Sequence, residues 1–467
     1  MKGCAATVSS KNPDLSASPR ASLVARFSAT VDRLTQTGSS GETHLNEPSL
    51  LIALSGGLDS VVLLSLANGW RDLHQCSLRA IYIDHGLQQQ SAEWGEFCAA
   101  LCSDLNVEFK TLPVTVDLES GLSPEAAARD VRYEALQTAL RPGEYLCTAH
   151  HADDQAETLL LQLFRGAGVQ GLASMPQLRR FGSGYLMRPL LHSSRSEIQR
   201  YAADHALGFC EDPSNADGRY DRNYLRNDFL PPLQQRWPQL VANISRSASH
   251  CAESLELLND LAKLDYAAAC KDAAPVDCAG IAGVMPVVPL QTLSDIRKKN
   301  LLRYWISLHG FKAPSTAQLQ QILSDLVTVV SGAVSGAVSG GSGRINFGDA
   351  AIARYQETLF LGQRNSFEPL PDFEYQWHDT SAPLIIAELD WSLDIAVQQN
   401  LKAYAGQILH VRNRRGGERW RPDPAGHSVS VKSLLQQRRI PPWQRSRLVF
   451  VFSGETLVDI CGPGFVL

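Results

Sequence analysis

The sequence predicts a doubly wound α/β domain built on a parallel sheet, followed by a helical middle domain and a small mixed α/β C-terminal domain. Three observations lead there. Strand-like and helix-like runs alternate from residue 49 to residue 164, as they do where helices cover both faces of a parallel sheet. The first of these runs, Leu50–Leu54, breaks at Ser55-Gly56-Gly57-Leu58-Asp59-Ser60 and resumes as the apolar stretch Val61–Leu66, so a glycine loop occupies the first strand-to-helix turn. Beyond Trp237 a helical period takes over, and after residue 344 short strand-like segments replace it.

Taken in order, residues 1–48 form an N-terminal extension rich in Ser, Thr and Ala, and its first twenty residues are expected to be disordered. Leu23, Phe27, Val31 and Leu34 recur at helical spacing and predict one helix ahead of the sheet. The α/β domain spans 49–236. Its strands are expected at Leu50–Leu54, Leu78–Asp84, Val107–Pro113 and Tyr145–Ala149, and its helices at Leu58–Ala67, Glu93–Leu105, Pro124–Leu140 and Asp153–Phe164. A helical middle domain spans 237–329, with helices at Asn243–Ala268 and Asp295–Leu308. Residues 330–384 hold a flexible loop, the repeated VSGA unit of Val330–Gly341, and connecting strands at Ile345–Phe347 and Thr358–Leu361. The last domain, 385–467, offers strand-like segments at Leu384–Glu388, Ile408–Arg412, Leu448–Phe452 and Thr456–Cys461.

At 467 residues the chain exceeds one ordinary core, and its 44% apolar and 19% charged residues are the balance of a folded soluble protein. No apolar segment reaches membrane-spanning length, and Met1–Ser10 lacks the basic start and apolar run of a secretory signal. The ten cysteines are scattered without any Cys-x-x-Cys, which suits reduced thiols and a cytoplasmic location. The net charge of −5 speaks against nucleic acid, but its distribution reverses that. From His410 to Arg447 ten Lys/Arg face two Asp/Glu, a local +8, interleaved with Trp420 and Trp443. Such a stretch offers cations for phosphates and flat faces for unpaired bases.

The glycine loop is where the chemistry starts. Two glycines let the backbone turn sharply and approach a ligand, and Asp59 and Ser60 fall in the first turn of the following helix. Several N–H groups then point at one place, which is an anion site. The Gly-Lys-Ser/Thr end of a Walker loop is missing. Ser-Gly-Gly-x-Asp-Ser at this junction resembles instead the PP-loop of the ATP pyrophosphatases. That resemblance implies that Ser55, Gly56, Gly57, Leu58, Asp59 and Ser60 bind ATP, that the cleavage falls between the α and β phosphates, and that Asp59 helps to hold Mg2+.

A second polar stretch, His150-His151-Ala152-Asp153-Asp154-Gln155-Ala156-Glu157, follows the strand Tyr145–Ala149 and so lies at the same sheet edge. His150, Asp154 and Glu157 share one helical face. A carboxylate pair aimed into an ATP site can hold magnesium or a cationic amine; at a helix start it can also simply answer the dipole. Zinc is not favoured, because neither thiolates nor a closing ligand set accompany the histidines. Arg129 and Arg132, three apart on a helix, are candidates for the cation a phosphate site needs. Gly166-Ala167-Gly168-Val169-Gln170-Gly171 follows a helix rather than a strand, so it is a turn and no dinucleotide fingerprint. Glu211-Asp212-Pro213-Ser214-Asn215 with Tyr220, Arg222, Asn223 and Arg226 is a polar loop that suggests substrate contact.

Together the glycine loop, HHADDQAETLL with RGAGVQGL, Arg129–Tyr133, RPLL at Arg188–Leu191 and EDPSN with its following arginines resemble the tRNA(Ile)-lysidine synthases. So do Arg414–Arg419, Lys432–Gln436 and Ile440–Arg445 near the C-terminus. The sequence departs from the family at Gln88, where Arg often stands, and in its first forty-odd residues and VSGA repeat. The resemblance implies an ATP-dependent ligase acting on the isoleucine tRNA with a CAU anticodon. ATP adenylates the wobble cytidine with loss of pyrophosphate, and free L-lysine then displaces AMP to give lysidine. Asp59, Asp154 and Glu157 are the expected catalytic residues, with ATP and Mg2+ as cofactors and a homodimer left open. Arg222, Arg226, Arg414, Arg415, Arg419, Lys432 and Arg445 are the expected tRNA contacts. A thiolating relative would want paired cysteines, and an amidotransferase would want a glutaminase domain. A non-catalytic RNA-binding relative would have no use for an intact loop.

Overall fold

The structure, a computed structural model, describes residues 22–38, 48–74, 76–86, 90–117, 124–213, 218–271, 280–328, 343–421, 427–463 and 465–466. The first twenty-one residues, Gln88, Ser214, Asn215 and the Val330–Gly341 repeat lie outside the described residues. The chain forms two compact units, Met1–Glu256 and Leu257–Leu467.

In the first unit the elements run α1 (Leu23–Gly38), β1 (Ser49–Ala53), α2 (Leu58–His74), β2 (Ser77–Asp84), α3 (Ser91–Asp104), β3 (Glu108–Pro113), α4 (Pro124–Ala139), β4 (Tyr145–Cys147) and α5 (Ala152–Phe164). They continue as α6 (Val169–Leu172), β5 (Leu178–Phe181), β6 (Gly184–Met187), α7 (Arg195–Asp204), α8 (Asp221–Tyr224), a π-helical turn Leu225–Phe229, α9 (Leu230–Arg236) and α10 (Leu240–Cys270), which runs across the division. The sheet order is β3-β2-β1-β4-β6-β5. Its first five strands are parallel, and only β5 is antiparallel.

The apolar run of β1 has a physical meaning. Leu50 and Ile52 face one layer, Leu51 the other, and all three are shut from solvent. On the first side they meet Val62 and Leu66 of α2, Phe27 and Val31 of α1, and Ile198 and Tyr201 of α7. On the second, Leu51 joins Ile81, Leu146 and Leu186 over Leu136 of α4 and Leu140 just beyond it. Each such side chain contributes roughly 1.5–3 kcal/mol by leaving water. Gly184 lets β6 into the sheet, since a Cβ there would sit 2.2 Å from the Glu144 carbonyl oxygen. Glu144, itself buried, takes Arg79 of β2 through two oxygens at 2.7 and 2.5 Å, pinning β2 to the turn ahead of β4.

The second unit begins with the end of α10, then β7 (Ile281–Pro286), α11 (Val288–Gln291), α12 (Asp295–Leu308), α13 (Thr316–Ile322), a π turn Leu323–Val327, β8 (Arg344–Phe347), β9 (Ala350–Tyr355) and β10 (Thr358–Gln363). The helices of this middle region pack on an antiparallel sheet of order β7-β10-β9-β8, with Trp305, Leu301 and Leu326 against Met285, Ile352 and Leu359. β11 (Glu374–Trp377), β12 (Leu384–Ile386), β13 (Trp391–Leu393), β14 (Leu409–Asn413), β15 (Arg419–Trp420), β16 (Val429–Ser430), α14 (Val431–Gln437), α15 (Pro442–Arg445), β17 (Val449–Ser453), β18 (Thr456–Gly462) and β19 (Phe465–Val466) follow. Five of these strands form an antiparallel sheet, β11-β14-β17-β18-β19. Among the described residues no helix is long and apolar enough to cross a membrane, and Cys76, Cys98, Cys102, Cys147, Cys210, Cys251, Cys270 and Cys461 form no disulfide.

Candidate active site

The strands β1, β2 and β4 end at one edge of the parallel sheet, and a cavity of about 1500 Å³ opens there. The glycine loop forms its floor. Gly56 takes φ +80°, and a Cβ there would stand 3.3 Å from Cys98 Sγ and 3.6 Å from Cys210 Sγ, so conformation and space both require glycine. The loop is braced from within. Ser55 N–H donates to Ser60 Oγ at 3.2 Å, Gly57 N–H to Ser55 Oγ at 3.4 Å, and Ser60 Oγ to the Gly57 carbonyl at 2.9 Å. Its carboxylate, Asp59, enters the first turn of α2. Asp59 Oδ2 lies 3.7 Å from His151 Nε2, while Oδ1 is buried with no hydrogen-bond partner among the described residues.

His151 is buried behind the cavity lining and links Asp59 to the start of α5. It is 1% exposed, with Nε2 3.4 Å from Asp154 Oδ2 and Nδ1 3.6 Å from Asp153 Oδ2. Burial works against a charge on this ring, but the surrounding Asp59, Asp154 and Asp153 outweigh it and raise the imidazole above its ordinary value. His150 lies ahead of α5 rather than on it and shares a hydrogen bond with Thr148 Oγ1 at 2.9 Å. Burial, reinforced by Arg188, Arg222 and Arg129, lowers it to about 3 against the pull of Asp154, so it is neutral.

The carboxylate pair needs correction. Asp154 lines the cavity, but Glu157 is wholly buried and does not. Both of its oxygens accept from arginines: Oε2 from Arg222 Nε at 2.8 Å, Oε1 from Arg226 Nε at 2.7 Å. Arg226 Nη2 also donates to Asp154 Oδ1 at 2.9 Å. Burial would raise the Asp154 carboxyl, yet the charges of His151, Arg222 and Arg226 bring it down to about 2. Arg222 and Arg226, expected to face RNA, are therefore tied to this acidic pair.

Arg132 and Tyr133 line the cavity from α4, and Arg129 lies 4.9 Å over the Tyr133 ring. Sequence reasoning passed over Arg195, His85, Trp94 and Phe209, which also line it. Only Arg195 carries a local signal: it follows Ser194, whose hydroxyl caps α7 in a box with Glu197. The Gly166–Gly171 segment turns after α5 only as far as Gly168, its N-cap, and opens α6 at Val169, where a Cβ on Gly171 would meet Ala167 at 2.5 Å. For a metal, the described residues hold no group of three or more His, Cys, Asp or Glu side chains. Magnesium commonly needs only one or two carboxylates when substrate phosphates complete its shell, and the unpartnered Oδ1 of Asp59 fits that use.

The C-terminal basic stretch departs from its reading at the aromatics. Trp420 and Trp443 are buried, 8% and 7% exposed, and present no face to a base. Trp443 packs edge-on against Phe360, Phe367 and Tyr355, and Trp420 against the core of Val431, Leu435 and Phe450. Arg445 donates to the Ile440 carbonyl and the Tyr355 hydroxyl, which makes it a structural residue. Arg415, Arg419 and Lys432 are exposed, and Arg414 is partly so, 3.8 Å from Glu418.

Three family models match the chain: a PP-loop domain over residues 26–233, a TilS substrate binding domain over 285–360 and a TilS substrate C-terminal domain over 409–466. The chain is also similar along most of its length to curated bacterial proteins. It is 37% identical over 429 residues to the tRNA(Ile)-lysidine synthase of Coxiella burnetii, covering 90% of each. With that of Methylococcus capsulatus it shares 38% over 417 residues, 88% of this chain and 90% of the relative. With that of Pseudomonas putida it shares 38% over 426 residues, 90% and 94% respectively.

Proposed function

The chain belongs to the tRNA(Ile)-lysidine synthase family, and from that premise we propose that its cavity joins lysine to the wobble cytidine of the CAU-anticodon isoleucine tRNA, consuming ATP. The product, lysidine, changes the codon read from AUG to AUA. In the first step the cytidine carbonyl oxygen attacks the α-phosphorus, and the bond to the β-phosphate breaks with its electron pair on the departing pyrophosphate. In the second the ε-amine of lysine attacks the activated carbon, the bond from that carbon to oxygen breaks with its electron pair on the departing AMP, and the amine's proton passes to water.

The residues divide the work by their charge. Ser55–Ser60 receives the phosphates through backbone N–H groups and hydroxyls. Asp59, together with the phosphates, would hold magnesium, which would supply positive charge to offset that on the leaving group. Asp154 stays ionised down to about pH 2, so it suits the ammonium of lysine as a counter-charge and is too weak a base to take its proton. Arg226 shares Asp154 Oδ1 and must yield part of that contact when lysine arrives.

The observation that carries this reading is Asp59 Oδ1, buried and without a hydrogen-bond partner among the described residues, beside the glycine loop that floors the parallel-sheet cavity. The test is to incubate the protein with ATP, labelled lysine and either the isoleucine or the methionine CAU transcript. Label should enter only the isoleucine tRNA, with one AMP and one pyrophosphate released per lysine. No ATP-dependent label in the RNA would overturn it.

A further inference from the structure

The loop read as the triphosphate cradle carries no cation: Ser55 to Ser60 contains two hydroxyls, backbone N–H groups and the carboxylate of Asp59. A triphosphate brings several negative charges into the cavity, and a site that binds it needs fixed positive charge close to the loop. Among the described residues the arginines that line the cavity are Arg132, Arg195 and Arg226. Arg226 is committed to Glu157 and Asp154. Arg132 comes from α4, on the sheet face opposite to the one covered by α2.

Arg195 stands on the loop's own side. It opens α7, which packs against α2, the helix that the loop leads into. Its backbone N–H donates to Asp153 Oδ2 at 2.9 Å. That oxygen is 3.6 Å from His151 Nδ1, and Nε2 of the same ring is 3.7 Å from Asp59 Oδ2. A short chain of contacts thus fixes Arg195 relative to the loop carboxylate. Its guanidinium Nε is buried and has no hydrogen-bond partner among the described residues. A buried charged N–H without an acceptor is unfavourable, and an incoming anion relieves it.

We propose that Arg195 binds the β- and γ-phosphates of the nucleotide and stabilises pyrophosphate as it departs. The proposal rests on the reading of Ser55–Ser60 as the triphosphate loop. As the bond between the α-phosphorus and its bridging oxygen to the β-phosphate breaks, the electron pair leaves on that oxygen. The guanidinium faces the growing charge and transfers no proton.

The substitutions Arg195→Gln and Arg195→Lys test it with the fold protected, because the bond to Asp153 comes from the backbone and Ser194 with Glu197 starts the helix. Calorimetry with pyrophosphate, ATP and AMP, each with magnesium, is the readout. Arg195→Gln should weaken pyrophosphate and ATP by about 10- to 100-fold, the loss of one or two charge-assisted hydrogen bonds. AMP should stay within about twofold, and Arg195→Lys should fall between. Unchanged pyrophosphate affinity in Arg195→Gln overturns the proposal, as does an equal loss for AMP. A raised KM for lysine with pyrophosphate untouched also overturns it, by giving the arginine to the carboxylate of the amino acid. If the unaltered protein binds pyrophosphate through Arg195 yet transfers no lysine, the reading of function fails and this one stands.

Discussion

Arg226 grips Glu157 twice, from Nε to Oε1 at 2.7 Å and from Nη2 to Oε2 at 2.9 Å, and the carboxylate it grips is 0% exposed. Arg222 closes the same carboxylate from a second direction at 2.8 Å. The pair binds α5 to α8 and the π turn that follows it, so Glu157 holds the wall of the cavity in place.

That contact predicts how Glu157→Gln behaves. Removing one charge of a buried, hydrogen-bonded set leaves arginines uncompensated, at a cost of about 3–5 kcal/mol. The variant should unfold at markedly lower denaturant and lose lysine transfer as a consequence. Wild-type stability with transfer abolished would return Glu157 to a direct role in the reaction.

Acid should loosen the first unit before it reaches the carboxylate range. Burial lowers His150 to about 3, while an unfolded histidine titrates near 6.5. The unfolded chain therefore binds the proton first, and stability present above about pH 6.5 declines as pH falls. At pH 5 the loss from His150 is about 2 kcal/mol, or about 4–8 °C in melting midpoint for a unit of this size. Asp154, held down to about 2 by its neighbours despite burial, adds a further decline below its ordinary 3.8. His151 is raised instead, so its contribution is complete below about 6.5 and fades as pH rises above that. Melting curves from pH 6.5 to 4.5 check this, with His150→Asn expected to flatten the slope. A wild-type midpoint constant over that range would refute it.

Asp59→Asn keeps the shape of the loop and removes its charge. Since Oδ1 has no partner within the described residues, the fold should lose little. ATP-dependent pyrophosphate release should fall by roughly 100-fold or more, the scale of a lost transition-state contact. Release at the wild-type rate from a folded variant would take magnesium away from Asp59.

What the sequence revealed and what it hid follow from range. The glycine loop is six contiguous residues between two apolar runs, so its strand, turn and helix start are all local, and Gly56 at φ +80° is where a glycine was expected to matter. Helical spacing placed Asp154 and Glu157 on one face of α5. It said nothing of what covers that face, because Arg222 and Arg226 lie 65 and 69 residues beyond Glu157. Trp443 misled for the same reason: its basic neighbours suggested solvent, while its packing partners Phe360 and Phe367 come from a distant segment. The β5–β6 hairpin, four residues a strand, is too short for periodicity to register.

The contacts of the C-terminal arginines sort them for the last prediction, which concerns tRNA. Arg412 and Arg414 lean on Glu418 at 3.1 and 3.8 Å, and Arg445 holds the Ile440 carbonyl at 3.0 Å, so these maintain the fold. Arg415 pairs with Glu374 at 2.6 Å, but both side chains are about half exposed, 48% and 50%. An exposed pair of that kind contributes at most about 1 kcal/mol, which leaves Arg415 able to exchange its partner for a phosphate. Among the described residues Arg419 bonds to Ser428, and Lys432 projects from the exposed side of α14. We expect the triple variant Arg415→Gln, Arg419→Gln, Lys432→Gln to bind tRNA more weakly and with a flatter salt dependence, each lost phosphate contact lowering the slope by up to about one unit. ATP affinity should be unchanged. Trp443→Leu should act differently: it removes a ring buried among Phe360, Phe367 and Tyr355, lowering stability by about 1–3 kcal/mol while leaving the slope of the folded protein intact. Filter binding over a salt series measures both. Parallel lines for the wild type and the triple variant would show that these three cations do not carry the tRNA contact.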